Sequence, residues 1–293
     1  MSTLLYFIIN PAASNGKAPV VWTAVKEYLD TLGQHYQYSF SDSAEHVEQL
    51  AKEAAAFPEV IVVSVGGDGT LSRVARALAF TGVAMGVIPG GTGNDFIRSF
   101  RIPVEPIAAC EVLLNGKTIP LDIGEVNGSR FVNVLGAGLD AEVTADANRI
   151  FKKFSGALGY LLALLKQLIM YKPQAVRITV DGEVIETVAW LVSVANASYY
   201  GSGMKIAPHA DPQDGKADVV IVGRLNRFKF LRLFPLVYKG EHVKHSAVQV
   251  IRGTTISIES HKPLHVHADG DLLTKTPLQI AMYQHALRLR VPD

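Results

Sequence analysis

Residues 60–71 read VIVVSVGGDGTL, and they leave this chain few folds to choose from. Five of the first six are Val or Ile. A run that apolar is a strand covered on both faces, as in a parallel sheet flanked by helices. It breaks at Gly66-Gly67-Asp68-Gly69-Thr70, where three glycines in four positions let the backbone turn sharply and approach a ligand without Cβ collisions. Residues 71–79, LSRVARALA, have helical composition. Thr70 is therefore the expected N-cap, and the loop sits at a helix N-terminus, where free N–H groups and the helix dipole favour phosphate. Asp68 is the odd member, an anion at a phosphate site. It belongs there if a cation lies between the two charges, and Mg²⁺ is the usual one. The competing reading is a plain strand–helix turn with Asp68 as a cap.

The same strand–loop–helix pattern precedes and follows this stretch. Residues 4–9, LLYFII, are a second buried-strand run, followed by a polar loop from Asn10 to Lys17 and a helical segment from 20 to 32. The loop is not a Walker motif, because Pro11 stands where its first Gly would be. It does place Asn10 and Ser14 at the end of a strand, where open α/β sheets bind ligands. A third strand over 36–41 and a helix over 43–56 come next. Residues 83–88 form another strand and run into Pro89-Gly90-Gly91-Thr92-Gly93-Asn94-Asp95-Phe96. Strand, helix and strand alternating within about 100 residues imply right-handed crossovers and a doubly wound parallel sheet. Both Gly turns then lie on one carboxyl edge, with Asp68 and Asp95 facing one cleft.

The texture changes near Pro120. A helix over 107–114, ended by Gly116, gives way to short strands at 121–126, 130–135, 176–180, 184–194, 219–222, 255–260 and 264–268, with two more runs inside 278–291. Asp181-Gly182 between two of them is a hairpin signal. Such spacing predicts an antiparallel sandwich. The expected domains are 1–120, nucleotide-binding α/β, and 121–276, a β-sandwich for the substrate. Gly136-Ala137-Gly138-Leu139-Asp140-Ala141 mimics a dinucleotide fingerprint but lacks a βαβ frame, so a structural turn is expected there. His265, His267 and Asp269 alternate on one strand and so share a face. That arrangement admits a zinc site, against the simpler reading of a polar strand face.

Charge excludes one class of partner. Lys plus Arg number 28 against 27 Asp plus Glu, so wholesale nucleic-acid binding is not expected. A lone cysteine, Cys110, permits no internal disulfide and fits a reducing cytoplasm, with the thiol as core filler. No secretory leader is read in the first ten residues. The longest apolar stretch, 157–170, has 14 residues with Lys166 inside, short of the ~20 that span a bilayer. Two segments mix cations with aromatics, Phe151-Lys152-Lys153-Phe154 and residues 224–234, RLNRFKFLRLF. They suit a peripheral contact with anionic headgroups, or else a core helix with a solvated basic edge.

The motif Val65-Gly66-Gly67-Asp68-Gly69-Thr70 resembles the nucleotide signature of the diacylglycerol kinase catalytic-domain superfamily. That group also holds sphingosine and ceramide kinases and, more distantly, NAD kinases. Two further stretches narrow the resemblance to the soluble bacterial lipid kinases. PGGTGNDF, residues 89–96, resembles the family's second signature. Gly201, Gly203, Met204, Ile206, Ala207, Pro208, Ala210, Asp214, Gly215 and Asp218 fall on its third, with Ala217 where Leu is usual.

The resemblance implies ATP as co-substrate and Mg²⁺ as cofactor, with transfer of the γ-phosphate to a lipid hydroxyl. Diacylglycerol is the expected acceptor, and phosphatidic acid the product. It implies a nucleotide site at Asn10, Pro11, Ser14, Ser41, Gly66, Gly67, Gly69, Thr70, Thr92 and Asn94. The catalytic Mg²⁺ falls to Asp68 and Asp95. A structural Mg²⁺ falls to Asp214 and the backbone carbonyls of Asp211 and Lys216. Asp269 and Gly270 match the family's D-G-E, and Asp271, in place of the Glu, is the expected general base. Residues 277–293 are expected to complete the nucleotide domain. The implied setting is the cytoplasm with transient contact at the inner membrane face, and a homodimer is open to it. A sphingoid-base or NAD kinase, or a non-catalytic nucleotide- or lipid-binding regulator, are the alternatives.

Overall fold

The computed structural model describes residues 3–13, 16–150 and 157–293, with the side chains of 148–150 and 157–160 outside the description. The chain divides into two compact units, Met1–Ile123 with His285–Asp293, and Gly124–Gln284.

In the first unit, strands β1 (Leu4–Ile9), β2 (Tyr36–Phe40), β3 (Val60–Gly66) and β4 (Ala84–Pro89) alternate with helices α1 (Ala18–Thr31), α2 (Ala44–Ala54) and α3 (Asp68–Leu78). Two further helices, α4 (Asp95–Ser99) and α5 (Pro106–Asn115), and strand β5 (Lys117–Val126) follow. The strands are parallel in the order β2-β1-β3-β4. All seven residues of β3 are buried, as its apolar run predicts. Register fixes the loops that matter. Ile9 pairs with Phe40 and with Val65, and Gly66 pairs with Pro89. The carboxyl ends of the four strands therefore finish level. The end of the chain adds a fifth parallel neighbour, with Arg288 against Ala84 and Leu289 against Met85.

The second unit holds β6 (Ser129–Phe131), β7 (Val134–Gly138), α6 (Leu139–Ile150), α7 (Ala157–Met170), β8 (Gln174–Val180), β9 (Glu183–Ala189), β10 (Leu191–Ala195), β11 (Ala217–Val222) and α8 (Arg227–Leu233). Two 3₁₀ turns lead to β12 (Val248–Gly253), β13 (Thr255–Ser260), β14 (His265–Ala268), β15 (Asp271–Lys275) and the long β16 (Leu278–Val291). Its strands form two antiparallel layers, β16-β13-β8-β9 and β12-β11-β10-β7-β14-β15. Ile178, Ile256 and Leu278 from one layer share a core with Leu135, Val194 and Val219 from the other. The outer face of the second layer is covered as well, since Val220 and Leu191 pack with Leu139, Leu164, Phe230 and Leu233 of the helices.

The α/β plus β-sandwich class is as expected. Asp181 and Gly182 carry φ of +47° and +91° between paired Val180 and Glu183, the two-residue hairpin the dipeptide predicts. Other readings need correction. Residues 184–194 are two strands, not one, and they lie in different layers. The chain changes layer at Trp190, whose N–H bonds Val222 O and whose indole donates to Leu225 O. No Gly or Pro marks that switch, so local sequence carries no signal of it. Residues 278–291, read as two strands, form one strand of 14. It continues through His285 at φ +56° because the buried Asp122 carboxylate accepts the His285 N–H at 2.8 Å.

Candidate active site

The two Gly turns of the first unit stack on each other, backbone against backbone. Gly90 N–H donates to Gly66 O at 2.8 Å. A Cβ on Gly91 would sit 2.6 Å from Gly67 Cα, so no side chain fits between the turns. The cause is the level register of β3 and β4, which delivers both turns to one point on the sheet edge.

Thr70 is not the N-cap. Extended Gly67 (φ −94°, ψ −174°) fills that place and α3 begins at Asp68. Glycine freedom lets the helix start earlier than composition indicates. Thr70 instead sits in the first turn, buried, with its hydroxyl accepting from Asn10 Nδ2 at 3.0 Å. Gly66 makes room for it, since a Cβ there would meet Thr70 Oγ1 at 2.6 Å. Asn10 also accepts Ala12 N–H through Oδ1 at 3.1 Å, which shapes the loop after β1. Ser41, just past β2, is buried and donates to Ile9 O at 3.3 Å. Asn94 takes the left-handed conformation at φ +53°, caps α4 and donates to Gly91 O at 3.2 Å. Pro11 is half-buried, while Thr92 and Gly69 are exposed on this edge. Ser14 lies outside the described residues.

Asp68, at the start of α3, accepts Phe96 N–H at 3.3 Å and so caps α4, the helix that follows the other turn. Burial raises its carboxyl above the ordinary carboxylate range. Backbone N–H groups of Phe96, Asp95 and Asn94 and the Arg98 guanidinium pull it back down. Asp95 opens α4 beside it and is buried. A half-buried carboxylate whose charge is under-compensated, next to a buried second one, is a donor set of hard oxygens that fits a magnesium ion. The α3 N-terminus and the glycine backbone fit phosphate oxygens.

In the second unit, Asp269 (φ +51°) and Gly270 (φ +87°) make the turn between β14 and β15. The Asp269 carboxylate accepts the N–H groups of Val132, Asn133 and Val134 at 3.0, 2.9 and 3.2 Å. It thereby clamps the β6–β7 connection. Asp271 opens β15 and is half-buried. His265 and His267 share one face, as alternation predicts: Val266 and Ala268 enter the sandwich core, while His265 reaches Glu142 and His267 reaches Asp140, both on α6. The strand ends at Ala268, so Asp269 leaves that face and lies in the following turn. Among the described residues no group of three or more His, Cys, Asp or Glu is placed to hold a metal.

Sequence reasoning missed the partner of the buried histidine. His267 Nε2 lies 3.2 Å from Asp140 Oδ2, and both side chains are buried. Ser193 Oγ donates to the same carboxylate oxygen at 3.4 Å. The fingerprint-like GAGLDA is explained here. A Cβ on Gly136 would collide with both Asp140 and His267, and Gly138 turns at φ +91°. The glycines make room for this buried His–Asp contact.

The 211–216 turn differs from the expected metal site. Asp214 Oδ1 accepts Lys216 N–H at 2.9 Å and Oδ2 pairs with the Arg252 guanidinium. The same Arg252 donates through Nε to buried Asp218 at 2.9 Å. Asp211 Oδ1 accepts Gln213 N–H at 3.1 Å. In this arrangement the half-exposed Arg252 supplies the positive charge beside Asp214.

Both halves of the chain match known protein families. The family described as diacylglycerol kinase catalytic domain matches residues 4–126. The family described as YegS C-terminal NAD kinase beta sandwich-like domain matches residues 133–291. A diacylglycerol kinase of Mycobacterium tuberculosis is 32% identical over 97% of this chain and 94% of its own length. One of Bacillus subtilis is 30% identical over 89% of each. The crystal structure of a diacylglycerol kinase from Bacillus anthracis aligns with a TM-score of 0.75 at 22% identity, over 99% of this chain and 97% of that one, a likeness of fold. With both halves matched and relatives spanning nearly its whole length, the chain belongs to the diacylglycerol kinase catalytic-domain family and is an ATP-using lipid kinase of that superfamily.

Proposed function

We propose that the enzyme transfers the γ-phosphate of ATP to the free hydroxyl of diacylglycerol, giving phosphatidic acid and ADP. The observation that supports it most is the stacking of the two Gly turns with Asp68 at their junction. Gly67, Gly69, Thr70 and Thr92 present backbone and hydroxyl donors to the phosphates, and Asn10, Pro11, Ser41, Gly66 and Asn94 hold the loops that do so. Asp68 and Asp95 would hold a magnesium ion, which neutralises charge on the phosphate oxygens. Asp271 is assigned as the base. The acceptor oxygen forms its bond to the γ-phosphorus, the bond to the β–γ bridging oxygen breaks, and the hydroxyl proton passes to the Asp271 carboxylate. Asp269, committed to three N–H groups, is a positioning residue for the turn that carries Asp271. A diacylglycerol resides in a bilayer, so the reading includes peripheral contact at the inner membrane face, where ATP is supplied.

Radiolabelled ATP assayed with diacylglycerol, a sphingoid base, ceramide and NAD tests it. Labelled phosphatidic acid as the dominant product supports the reading. Preferential labelling of a sphingoid base or NAD removes the assigned acceptor.

A further inference from the structure

Helix α7 is apolar on the side that should face water. Ala163, Leu164 and Leu168 are buried against the sandwich, yet Leu161, Leu162, Leu165, Ile169 and Met170 are exposed, Ile169 at 73%. An amphipathic surface helix carries polar residues there. Beside it, α8 buries Phe230 and Leu233 and exposes Phe228 (84%) and Leu231. The two helices are tied together. Arg227 donates to Leu168 O and Ile169 O at 2.8 and 3.1 Å, the last carbonyls of α7. Their inward residues Leu164, Phe230 and Leu233 share one core. The outward apolar residues thus belong to one rigid patch.

Charge identifies what covers it. Residues 161–173 and 224–239 contain seven Lys or Arg and no Asp or Glu, in a chain whose overall net charge is +1. Lys166 is engaged by Asp146 of α6, and Arg227 by α7, while Arg224, Lys229, Arg232 and Lys239 stand exposed around Phe228 and Leu231. Two copies of such a face repel each other. An anionic bilayer attracts it, at about fivefold in partition per cation near the surface. Among the described residues no helix is long and apolar enough to cross a membrane, so a 14-residue α7 lies in the interface plane.

We infer that the outward face of α7 and α8 is the surface by which this kinase docks on anionic phospholipid, with Ile169, Met170, Phe228 and Leu231 inserted among the acyl chains. The inference rests on the lipid-kinase reading for its purpose but not for its physics.

The test is vesicle flotation with phosphatidylglycerol–phosphatidylcholine mixtures and with phosphatidylcholine alone, combined with turnover on bilayer diacylglycerol and on a monomeric short-chain diacylglycerol. Wild type should float with the anionic vesicles and lose at least tenfold in partition on pure phosphatidylcholine. The pairs Ile169→Ser with Phe228→Ser, and Lys229→Glu with Arg232→Glu, should each weaken flotation at least tenfold. They should cut turnover on vesicles in proportion and leave kcat/KM on the monomeric acceptor within twofold, at unchanged Tm. Unchanged flotation of both pairs overturns the inference, as does a wild-type dimer that the serine pair turns into a monomer. Normal flotation with no turnover on either acceptor leaves the docking face standing and removes diacylglycerol instead.

Discussion

The side-chain amide of Asn10 donates to the hydroxyl of Thr70 at 3.0 Å, joining the loop after β1 to the first turn of α3. Sixty residues separate the pair. Asn10→Ala and Thr70→Val should each raise the KM for ATP severalfold. The double variant should cost about 1 kcal/mol less than the sum of the singles, because either change removes the same bond. Thermal melts with and without nucleotide measure it.

Asp68 divides into two roles. Asp68→Asn keeps an acceptor for Phe96 N–H but removes the charge, so turnover should fall at least about a hundredfold while the fold persists. Asp68→Ala should be less stable than the Asn variant by about 1 kcal/mol through loss of the cap. The pH dependence has a definite sign. A carboxyl whose folded pKa is raised binds its proton more tightly folded than unfolded. Its contribution is therefore most favourable in acid and declines as pH rises from the ordinary carboxylate range through the raised value. Asp68→Asn should flatten that part of the ligand-free Tm–pH curve.

Asp269 and Asp271 should separate cleanly. Asp269→Ala strands three N–H groups and should cost roughly 3 kcal/mol or more in denaturant unfolding. Asp271→Asn should change stability by less than about 1 kcal/mol yet remove most turnover. Retained turnover in that variant takes the base role away from Asp271.

Arg252 supplies the cation of the 211–216 turn, so magnesium or a chelator should leave the Tm of the ligand-free protein unchanged. Arg252→Ala leaves the buried Asp218 carboxylate without its guanidinium and should cost about 1–3 kcal/mol, discounted because Arg252 is half exposed. In that variant, added magnesium should restore part of the Tm. A wild-type melt that rises with magnesium and falls with chelator points to a metal at this turn after all.

Cys110 is fully buried in α5, and burial pushes its thiol up to about 11. Only about one part in a thousand is thiolate at pH 8. Iodoacetamide should leave the native protein unlabelled, as judged by mass, and label one site once it is unfolded.

How much was legible follows from how local each determinant is. The parallel strands were readable because a strand covered on both faces must be apolar along its length, as β3 is. The Asp181-Gly182 hairpin was readable because a two-residue turn with positive φ is a property of those residues. The start of α3 was misplaced from composition because glycine extends the choice of where a helix begins. Alternation put His265 and His267 on one face, where both meet α6, but local pattern did not show that the strand stops at Ala268, one residue short of Asp269.

The sequence by itself determined the elements and the chemistry available at their ends: two glycine turns, each bearing an acid, at the tips of buried strands. The tertiary structure decided which of these groups meet. Level register of β3 and β4 brings Asp68 to the α4 N-terminus, folding brings His267 to Asp140 across 127 residues, and β12 carries Arg252 to Asp214 and Asp218. Those pairings depend on register and packing between distant segments, and no window of neighbouring residues encodes them.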